Sequence, residues 1–248
     1  MIASVAKSLR AAGPVQQLSA SKRAAVAVVL RPLPDGATAV LYILRRASEL
    51  DPWSGQVGFP GGRRAPSDRD DLETAVRECR EEVGLQLDSE SYELLGQLPD
   101  RHITARGGRI PDSALAAFVF AQRPDAVNEP LVLQASEIAA ARWAHESCLT
   151  PSNINFDVTK AYSPLPTAVT SVVPPALLRS LGLDRVSFPA VQLRESAAPT
   201  EETPLFNLWG ITLGITSDLL RNAGRPVLNS PPVRPHNALL RWYVKSSL

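Results

Sequence analysis

The sequence predicts an α+β protein in which one acidic helix lies across a mixed β-sheet, followed by a C-terminal extension. Segments of strand character outnumber helical ones, and two of them, 24–30 and 114–120, are continuous apolar runs of strand length. Such runs suit strands that are buried on both faces of a sheet. The third observation is a helical pattern at 70–83, whose apolar side would cover such a sheet.

The composition limits the classes of protein that the chain can represent. Its 248 residues carry a formal net charge of +1 and are 44% hydrophobic, which suffices for one large or two small domains. This balance gives no electrostatic indication of nucleic acid binding, and no apolar run predicts a membrane span. Cys79 and Cys148 form no disulfide framework, so we expect a reducing intracellular compartment, by default the cytoplasm.

Residues 1–23 are predicted as a separate N-terminal segment, with a helix near 4–12 that breaks at Gly13-Pro14. The first 34 residues contain no acid. Their basic residues are Lys7, Arg10, Lys22, Arg23 and Arg31. This bias is compatible with a mitochondrial targeting segment and equally with an amphipathic helix of the fold. The C-terminal Ser-Ser-Leu at 246–248 weakly resembles a peroxisomal address.

Residues 24–150 are predicted to form the core. Its strands are predicted, in order, at 24–30, 39–44, 92–98, 114–120 and 138–143. The first two form a hairpin, and the polar segment 99–111 is predicted as a loop.

Residues 151–248 form a proline-rich extension. Its helices are predicted at 157–162, 176–181 and 209–222, and a last short element at 239–244. Because its apolar segments are short and widely separated, we expect the extension to pack on the core rather than to fold alone.

A glycine-rich turn at 55–62 leads through a polar loop into the amphipathic helix. The apolar stripe of this helix consists of Leu72, Ala75, Val76, Cys79 and Val83. Gly84 follows the stripe, in the position where a left-handed residue ends a helix.

Three glutamates, Glu78, Glu81 and Glu82, lie in the last turns of this helix, where the helix dipole disfavours negative charge. Two carboxylates about 6 Å apart repel by about 3 kcal/mol at an effective dielectric of about 20. Arg77 and Arg80 would offset part of this repulsion. Mg²⁺ or Mn²⁺ would offset all of it, because both prefer hard oxygen ligands. A solvated charged face is the alternative interpretation.

The order of residues here resembles the Nudix box of the Nudix hydrolase superfamily. The matching positions are Gly61, Gly62, Arg77, Glu78, Glu81, Glu82 and Gly84. We call the three acids the box glutamates. The resemblance implies an α/β/α sandwich and a Mg²⁺- or Mn²⁺-dependent diphosphatase. The metal ligands that it implies are Glu78, Glu81, Glu82 and the carbonyl oxygen of Gly62, with Arg77 orienting the acids by ion pairing.

The glycine pair and the loop after it carry two further expectations. Gly61 and Gly62 lack a side chain, so the backbone can approach an ion or a substrate phosphate closely. The glutamate usually found eight residues before the box arginine is replaced by Arg69, which lies between Asp68 and Asp70. Either aspartate, or neither, takes its role.

Upstream, the sequence is similar to the coenzyme A diphosphatase branch, whose motif reads LLTxRSxxxRxxxGxxxFPGG. Arg46, Gly55 and the FPGG tetrad at 59–62 match this motif. Its threonine, serine and second arginine are replaced by Leu44, Ala47 and Asp51. The lost arginine would be a natural phosphate partner. The segment Trp-Gly-Ile-Thr at 209–212 also resembles this branch.

We therefore expect a hydrolase of nucleoside diphosphates linked to another group, with coenzyme A or acyl-coenzyme A as the first substrate and 3′,5′-ADP and phosphopantetheine as products. A diphosphatase for ADP-ribose, dinucleotides or modified nucleotides is the second hypothesis. A non-catalytic nucleotide sensor is the third, although a sensor has no chemical need for all three box glutamates.

Residues outside the box complete the expected site. Arg46 is the candidate phosphate contact, and Trp53 either stacks on a nucleobase or anchors its loop. The general base is Glu137 or, with water activated directly by the metal, Glu81 or Glu82. The expected partner is a small nucleotide, with no nucleic acid and no membrane, and a homodimer stays open.

Overall fold

The computed structural model describes residues 1–48, 54–105, 108–160, 172–181, 183–184, 186–193, 206–228 and 234–235. The helices are α1 (Ile2–Ala12), α2 (Asp71–Val83), α3 (Pro175–Ser180) and α4 (Gly210–Asn222). The strands are β1 (Lys22–Pro32), β2 (Thr38–Arg45), β3 (Val57–Gly58), β4 (Gly61–Arg63), β5 (Tyr92–Ala105), β6 (Gly108–Gln122), β7 (Ile138–His145), β8 (Ile154–Lys160), β9 (Val186–Gln192), β10 (Asn207–Leu208) and β11 (Arg234–Pro235). Two 3₁₀ turns, Glu146–Cys148 and Pro151–Asn153, follow β7.

A seven-stranded mixed sheet, β1–β7, carries the glycine-rich turn. β1 pairs with β6 in parallel and with β2 in an antiparallel hairpin, as predicted. The two hairpin strands pair directly through residues 30–32 and 38–40. Beyond this contact the segment 57–63 lies between them, because β3 pairs with β2 and β4 pairs with β1. The turn is therefore held by strands on both sides.

Helices cover both faces of this sheet, which confirms the predicted α/β/α sandwich. The even-numbered residues of β1 from 26 to 30 share one buried cluster with α1 and α4. The odd-numbered residues from 25 to 29 belong to a second cluster, which α2 covers. β1 is thus buried on both faces, as its apolar run predicts.

Helix α2 begins and ends at the residues that the sequence indicates. The Asp70 carboxylate accepts a hydrogen bond from the Glu73 backbone nitrogen at 2.8 Å and caps the N-terminus. Gly84 ends the helix in the left-handed region, with φ of 78°. Cys79 is buried at the centre of the apolar stripe, against the sheet. The carboxylates of the last turns are therefore carried by a helix that is fixed at both ends.

Helix α1 belongs to the core. Val5 and Leu9 are buried in the cluster that also contains α4. A Cβ on Gly96 of β5 would lie 3.1 Å from the Cβ of Leu9, so this glycine permits the close approach of α1. The packing is what the amphipathic interpretation of the N-terminal segment predicts, and a targeting role stays a prediction. In the described ranges, no helix has the length and apolar character that a bilayer span requires.

Beyond residue 150, strands β8–β11 form a second, four-stranded sheet. Helix α4 packs against the large sheet, with Leu213, Leu219 and Leu220 in the same buried cluster as β1. This contact is of the kind expected for an extension that lies on the core. The boundary at residue 150 stays a prediction.

Two predictions of local structure are wrong. Residues 99–111, predicted as a loop, belong largely to the long β5–β6 hairpin, in which Arg101 pairs with Leu115. The segment 157–162, predicted as helical, begins within β8, which pairs with β9. In both cases pairing with a neighbouring strand outweighs the local sequence pattern. The element predicted at 239–244 lies outside the described residues.

Candidate functional site

Two consecutive glycines, Gly61 and Gly62, form the point where the sheet meets α2. A Cβ on Gly61 would lie 2.3 Å from the carbonyl oxygen of Ala25 in β1. A Cβ on Gly62 would lie 2.6 Å from the carboxylate of Glu78. Both distances are shorter than any real Cβ contact, so the first glycine lets the turn pack on β1 and the second lets the helix carboxylate reach the turn.

Glu82 is the most deeply buried of the box glutamates, with 1% of its surface exposed. Its Oε2 atom accepts a hydrogen bond from the Gly61 nitrogen at 2.8 Å, and its Oε1 atom lies 3.6 Å from Nη1 of Arg45. Burial raises the pKa of Glu82 to about 8, although the Gly61 hydrogen bond and the Arg45 charge act in the opposite direction. Burial therefore favours the protonated form of this carboxyl group, and a positive charge close to it favours the ionised form.

Glu78 and Glu81 converge on one cation. The Nη1 atom of Arg77 lies 2.9 Å from Oε1 of Glu78 and 3.0 Å from Oε2 of Glu81. Burial raises the pKa of Glu78, and the hydrogen bond from Arg77 opposes this rise. Arg77 thus gathers two carboxylates that would otherwise repel each other, as the sequence predicts.

Asp68 fixes Arg77 from the other side. The Nε and Nη2 atoms of Arg77 donate hydrogen bonds to the two carboxylate oxygens of Asp68, both at 2.9 Å. Nη2 also donates to the carbonyl oxygen of Arg63 at 3.2 Å. The hydrogen bonds from Arg77 hold the pKa of Asp68 well below its usual range. Of the two aspartates that the sequence leaves open, Asp68 is therefore the one that contacts the box arginine, whereas Asp70 caps the helix.

The second cation of the cluster is Arg45, which sequence reasoning did not connect to the glutamates. The prediction that Arg80 also offsets their charge stays a prediction, since the exposed Arg80 makes no ion pair in the part of the chain that the structure describes. Leu41 and Ile43 are buried under α2, and Arg45, two residues further along β2, reaches Glu82. Alternation along β2 is the signal that could have found this contact.

Arg46 and Glu137 lie together beside the cluster. The Arg46 backbone nitrogen donates to the Glu137 carbonyl oxygen at 2.7 Å, and the Arg46 Nε atom donates to the Ala135 carbonyl oxygen at 2.6 Å. The charge of Glu137 contributes to the raised pKa of two box glutamates, so Glu137 lies within electrostatic reach of them. Trp53 lies outside the described residues.

Comparison with known proteins decides the family. The model of the NUDIX domain family matches residues 21–160, more than half of the chain. The chain belongs to this family. A Schizosaccharomyces pombe protein, uncharacterized protein C14C4.10c, is 40% identical over 104 residues, which cover 42% of this chain and 31% of that protein. Human mitochondrial coenzyme A diphosphatase NUDT8 is 44% identical over 81 residues, which cover 32% of this chain and 34% of the human protein.

These matches are partial. The chain spans about a third of the length of the curated relatives named here. Among solved structures, a Caenorhabditis elegans Ap4A hydrolase binary complex matches with a TM-score of 0.40 and 17% identity, over 50% of this chain and 80% of that chain. A similarity of this size carries no argument about function.

The chemistry of the box glutamates suits a hard divalent cation. Nudix enzymes use divalent metal ions, and the box glutamates offer carboxylate oxygens, which Mg²⁺ and Mn²⁺ prefer. The absent side chain of Gly62 leaves room for the Glu78 carboxylate beside the backbone of the turn. Within the described ranges, no three His, Cys, Asp or Glu side chains are arranged around a common metal position. Nitrogen atoms of Arg77 and Arg45 lie beside these carboxylates.

Helix α4 supports the Nudix glycine turn from the opposite face of the sheet. The hydroxyl group of Thr212 donates a hydrogen bond to the Val57 carbonyl oxygen at 3.0 Å in a buried position. One helical turn later, the Thr216 and Tyr42 hydroxyl groups are 3.0 Å apart. The Tyr42 ring packs on Phe59, with ring centroids 5.0 Å apart. The extension therefore contributes directly to the position of the turn.

Proposed function

We propose that this protein is a divalent-metal-dependent hydrolase that cleaves the diphosphate bond of a nucleoside diphosphate linked to another group. The convergence of the box glutamates on the glycine turn and on Arg77 carries this proposal. The Gly61 nitrogen binds Glu82, and the absent side chain of Gly62 gives Glu78 its place beside the turn. Such a constellation suits phosphoryl chemistry, because it collects negative charge that only cations can neutralise.

Each residue has a proposed role. The ligands of the ion are the box glutamates and the Gly62 carbonyl oxygen, and Arg77 positions these ligands. The ion, when bound, neutralises the diphosphate and activates water for attack on phosphorus. Arg46 binds a phosphate oxygen. The proton acceptor is Glu81 or Glu82 or, as the alternative, Glu137, which is exposed next to Arg46.

Coenzyme A or an acyl derivative is the first substrate that we propose. The matching Arg46 and FPGG tetrad support this choice, as does the similarity to the human protein named mitochondrial coenzyme A diphosphatase. Hydrolysis adds water across the P–O–P link and gives 3′,5′-ADP and (acyl)phosphopantetheine. Asp51 replaces the second arginine of the motif, so ADP-ribose or a dinucleotide is the alternative substrate class.

A panel of diphosphate-linked compounds tests the function. The full chain is incubated with Mg²⁺ or Mn²⁺ and each compound, and the products are identified by mass spectrometry. We expect metal-dependent release of 3′,5′-ADP from coenzyme A. Turnover of ADP-ribose with inert coenzyme A would reject the first substrate but not the hydrolase. Nucleotide binding without any cleavage would support the sensor hypothesis instead.

The compartment is a separate proposal. The human relative is named mitochondrial, and the N-terminal region of this chain is basic, so we propose the mitochondrion as a candidate location beside the cytoplasm. Fractionation of cells that express the full protein, with detection by an antibody, distinguishes the two.

A further inference from the structure

The loop 64–70 connects the glycine turn to α2 and carries Asp68. Its first residue, Arg64, folds its side chain back over the loop. The Nη2 atom of Arg64 donates hydrogen bonds to two successive carbonyl oxygens near the other end, that of Asp68, at 3.4 Å, and that of Arg69. The Arg64 backbone nitrogen donates to the carbonyl oxygen of Arg23 in β1 at 3.0 Å. One residue therefore joins the two ends of the loop and ties them to the sheet.

The same guanidinium also contacts the first residue of α2. The Oδ1 atom of Asp71 is buried there, and no hydrogen-bond partner for it lies within the described residues. The Nη1 atom of Arg64 lies 3.6 Å from this oxygen and forms an ion pair with it, whereas the Oδ2 atom accepts a hydrogen bond from Nε of Arg23 at 2.6 Å. A buried carboxylate oxygen without a partner is unfavourable, so Asp71 favours the observed place of the Arg64 side chain. The planar fork of arginine permits both sets of contacts at once.

Asp68 is the residue whose direction depends on this closure. Its carboxylate accepts two hydrogen bonds from Arg77, which in turn contacts Glu78 and Glu81. Its carbonyl oxygen is held by Arg64. A rotation of the loop backbone at Asp68 would break both contacts together. The contacts therefore run in one line from Arg64 through Asp68 to the box arginine and the box glutamates.

We propose that Arg64 is a positioning residue of the hydrolytic site: it closes the loop 64–70 and thereby holds Asp68 against Arg77. This inference rests on the proposed function, because it takes the glutamates that Arg77 contacts as metal ligands. Arg64 touches neither substrate nor metal in this proposal. Its effect on turnover therefore passes through Asp68, by keeping the reacting groups in their productive orientation.

Exchange of the Arg77 Nε proton with water, followed by NMR on the full chain without metal or substrate, tests the proposal. The hydrogen bond to Asp68 protects this proton, so we expect Arg64→Met to accelerate its exchange about tenfold. Arg69→Met is the matched control, because it removes the same charge from the same loop but from a side chain that is 83% exposed. Its exchange is expected to change less than about twofold. If Arg64→Met folds poorly, Arg64→Lys, which lacks the fork, replaces it, with an expected acceleration of about threefold or more.

A double-mutant cycle with Asp68→Asn separates positioning from a general loss of stability. With Mn²⁺ and the substrate that the panel identifies, Arg64→Met is expected to lower kcat about 5- to 10-fold and to change KM less than about twofold. In the Asp68→Asn background, the same substitution is expected to change kcat less than about twofold, since its route through Asp68 is already broken.

The two measurements distinguish failure of this inference from failure of the proposed function. Unchanged exchange in Arg64→Met, or equal losses of kcat in the two backgrounds, would overturn the inference and leave the proposed function intact. A wild type that cleaves no diphosphate with either metal would overturn the proposed function, and the exchange measurement would still decide whether Arg64 holds Arg77 in place.

Discussion

Arg77 is bound by Asp68 through two hydrogen bonds of equal length, from Nε and from Nη2, both at 2.9 Å. The same Asp68 carboxylate accepts hydrogen bonds from the Ala65 nitrogen at 2.8 Å and from the Thr74 hydroxyl group at 2.9 Å. The loop before α2 is thereby tied to the helix, and Arg77 has one defined direction. Its remaining nitrogen, Nη1, points to Glu78 and Glu81.

Substitution of Asp68 tests whether its hydrogen bonds to Arg77 matter for activity. Asp68→Asn keeps the shape of the side chain but removes the charge that holds Arg77, so kcat/KM is expected to fall about 10- to 100-fold. Asp70→Asn is the neighbouring control, because asparagine caps a helix as well as aspartate does, and its kcat/KM is expected to stay within about twofold. Equal activities of the two variants, measured with Mn²⁺ and the substrate that the panel identifies, would show that Asp68 does not position Arg77 for catalysis.

The same pair predicts how stability depends on pH. Arg77 holds the pKa of Asp68 below its unfolded value, so the contribution of the pair is complete above an unfolded pKa of about 3.9 and is lost as the pH falls toward the folded pKa. The difference in unfolding free energy between the wild type and Asp68→Asn is therefore expected to be constant above about pH 5 and to shrink below about pH 4. Urea titrations across this range measure it, and a constant difference down to pH 3 would contradict the assignment.

The glycine turn offers a matched pair of substitutions. Gly62→Ala places a methyl group 2.6 Å from the Glu78 carboxylate, which moves because it ends a flexible side chain. We expect stability to change by less than about 1 kcal/mol and turnover to fall by about 100-fold, as for other displacements of about 1 Å. Gly58→Ala meets no atom within 4 Å and is expected to keep near-normal turnover. Similar turnover in both variants would show that Glu78 does not need its observed place.

Helix α4 provides a test of the C-terminal extension. Thr212→Val keeps the shape of the side chain and removes the buried hydrogen bond to Val57, so it is expected to lower the unfolding free energy by about 1 kcal/mol or more. Thr212→Ser keeps the hydroxyl group and is expected to retain most of that stability. Thermal and urea unfolding measure the stability of both variants. A valine variant as stable as the serine variant would show that the hydrogen bond from Thr212 to Val57 does not stabilise the protein.

The sequence predicts the helix α2 and the glycine turn because their signals are local. The stripe around Cys79, the cap at Asp70 and the stop at Gly84 all lie within one short segment. The choice between Asp68 and Asp70 is not local, since it depends on how the loop folds back on the helix. The loop brings Asp68 to Arg77, although Arg69 occupies the position eight residues before Arg77 where the box usually has a glutamate.

Contacts between distant segments were harder to predict. Arg45 and Glu82 meet only because β2 and α2 pack on each other, and polarity alone could not show that pairing. The polar residues around Arg101 are typical of a loop, yet they extend the hairpin through pairing of β5 with β6, and the Arg101 side chain forms an ion pair with Asp218 of α4. Charged side chains in a strand lead to a wrong prediction of a loop when the residues that they contact lie in a later part of the chain.

The turnover of Glu82→Gln tests the central claim most directly. Glutamine keeps the size of the side chain and an oxygen for the Gly61 hydrogen bond, and it removes the charge proposed to bind the metal. Glu73→Gln on the same helix, whose partner is the exposed Arg69, serves as the control. With Mn²⁺ and the identified diphosphate substrate, the account predicts that Glu82→Gln turns over at least about 100-fold more slowly than the wild type, with an unchanged circular dichroism spectrum. Turnover close to that of the wild type and of Glu73→Gln would contradict it.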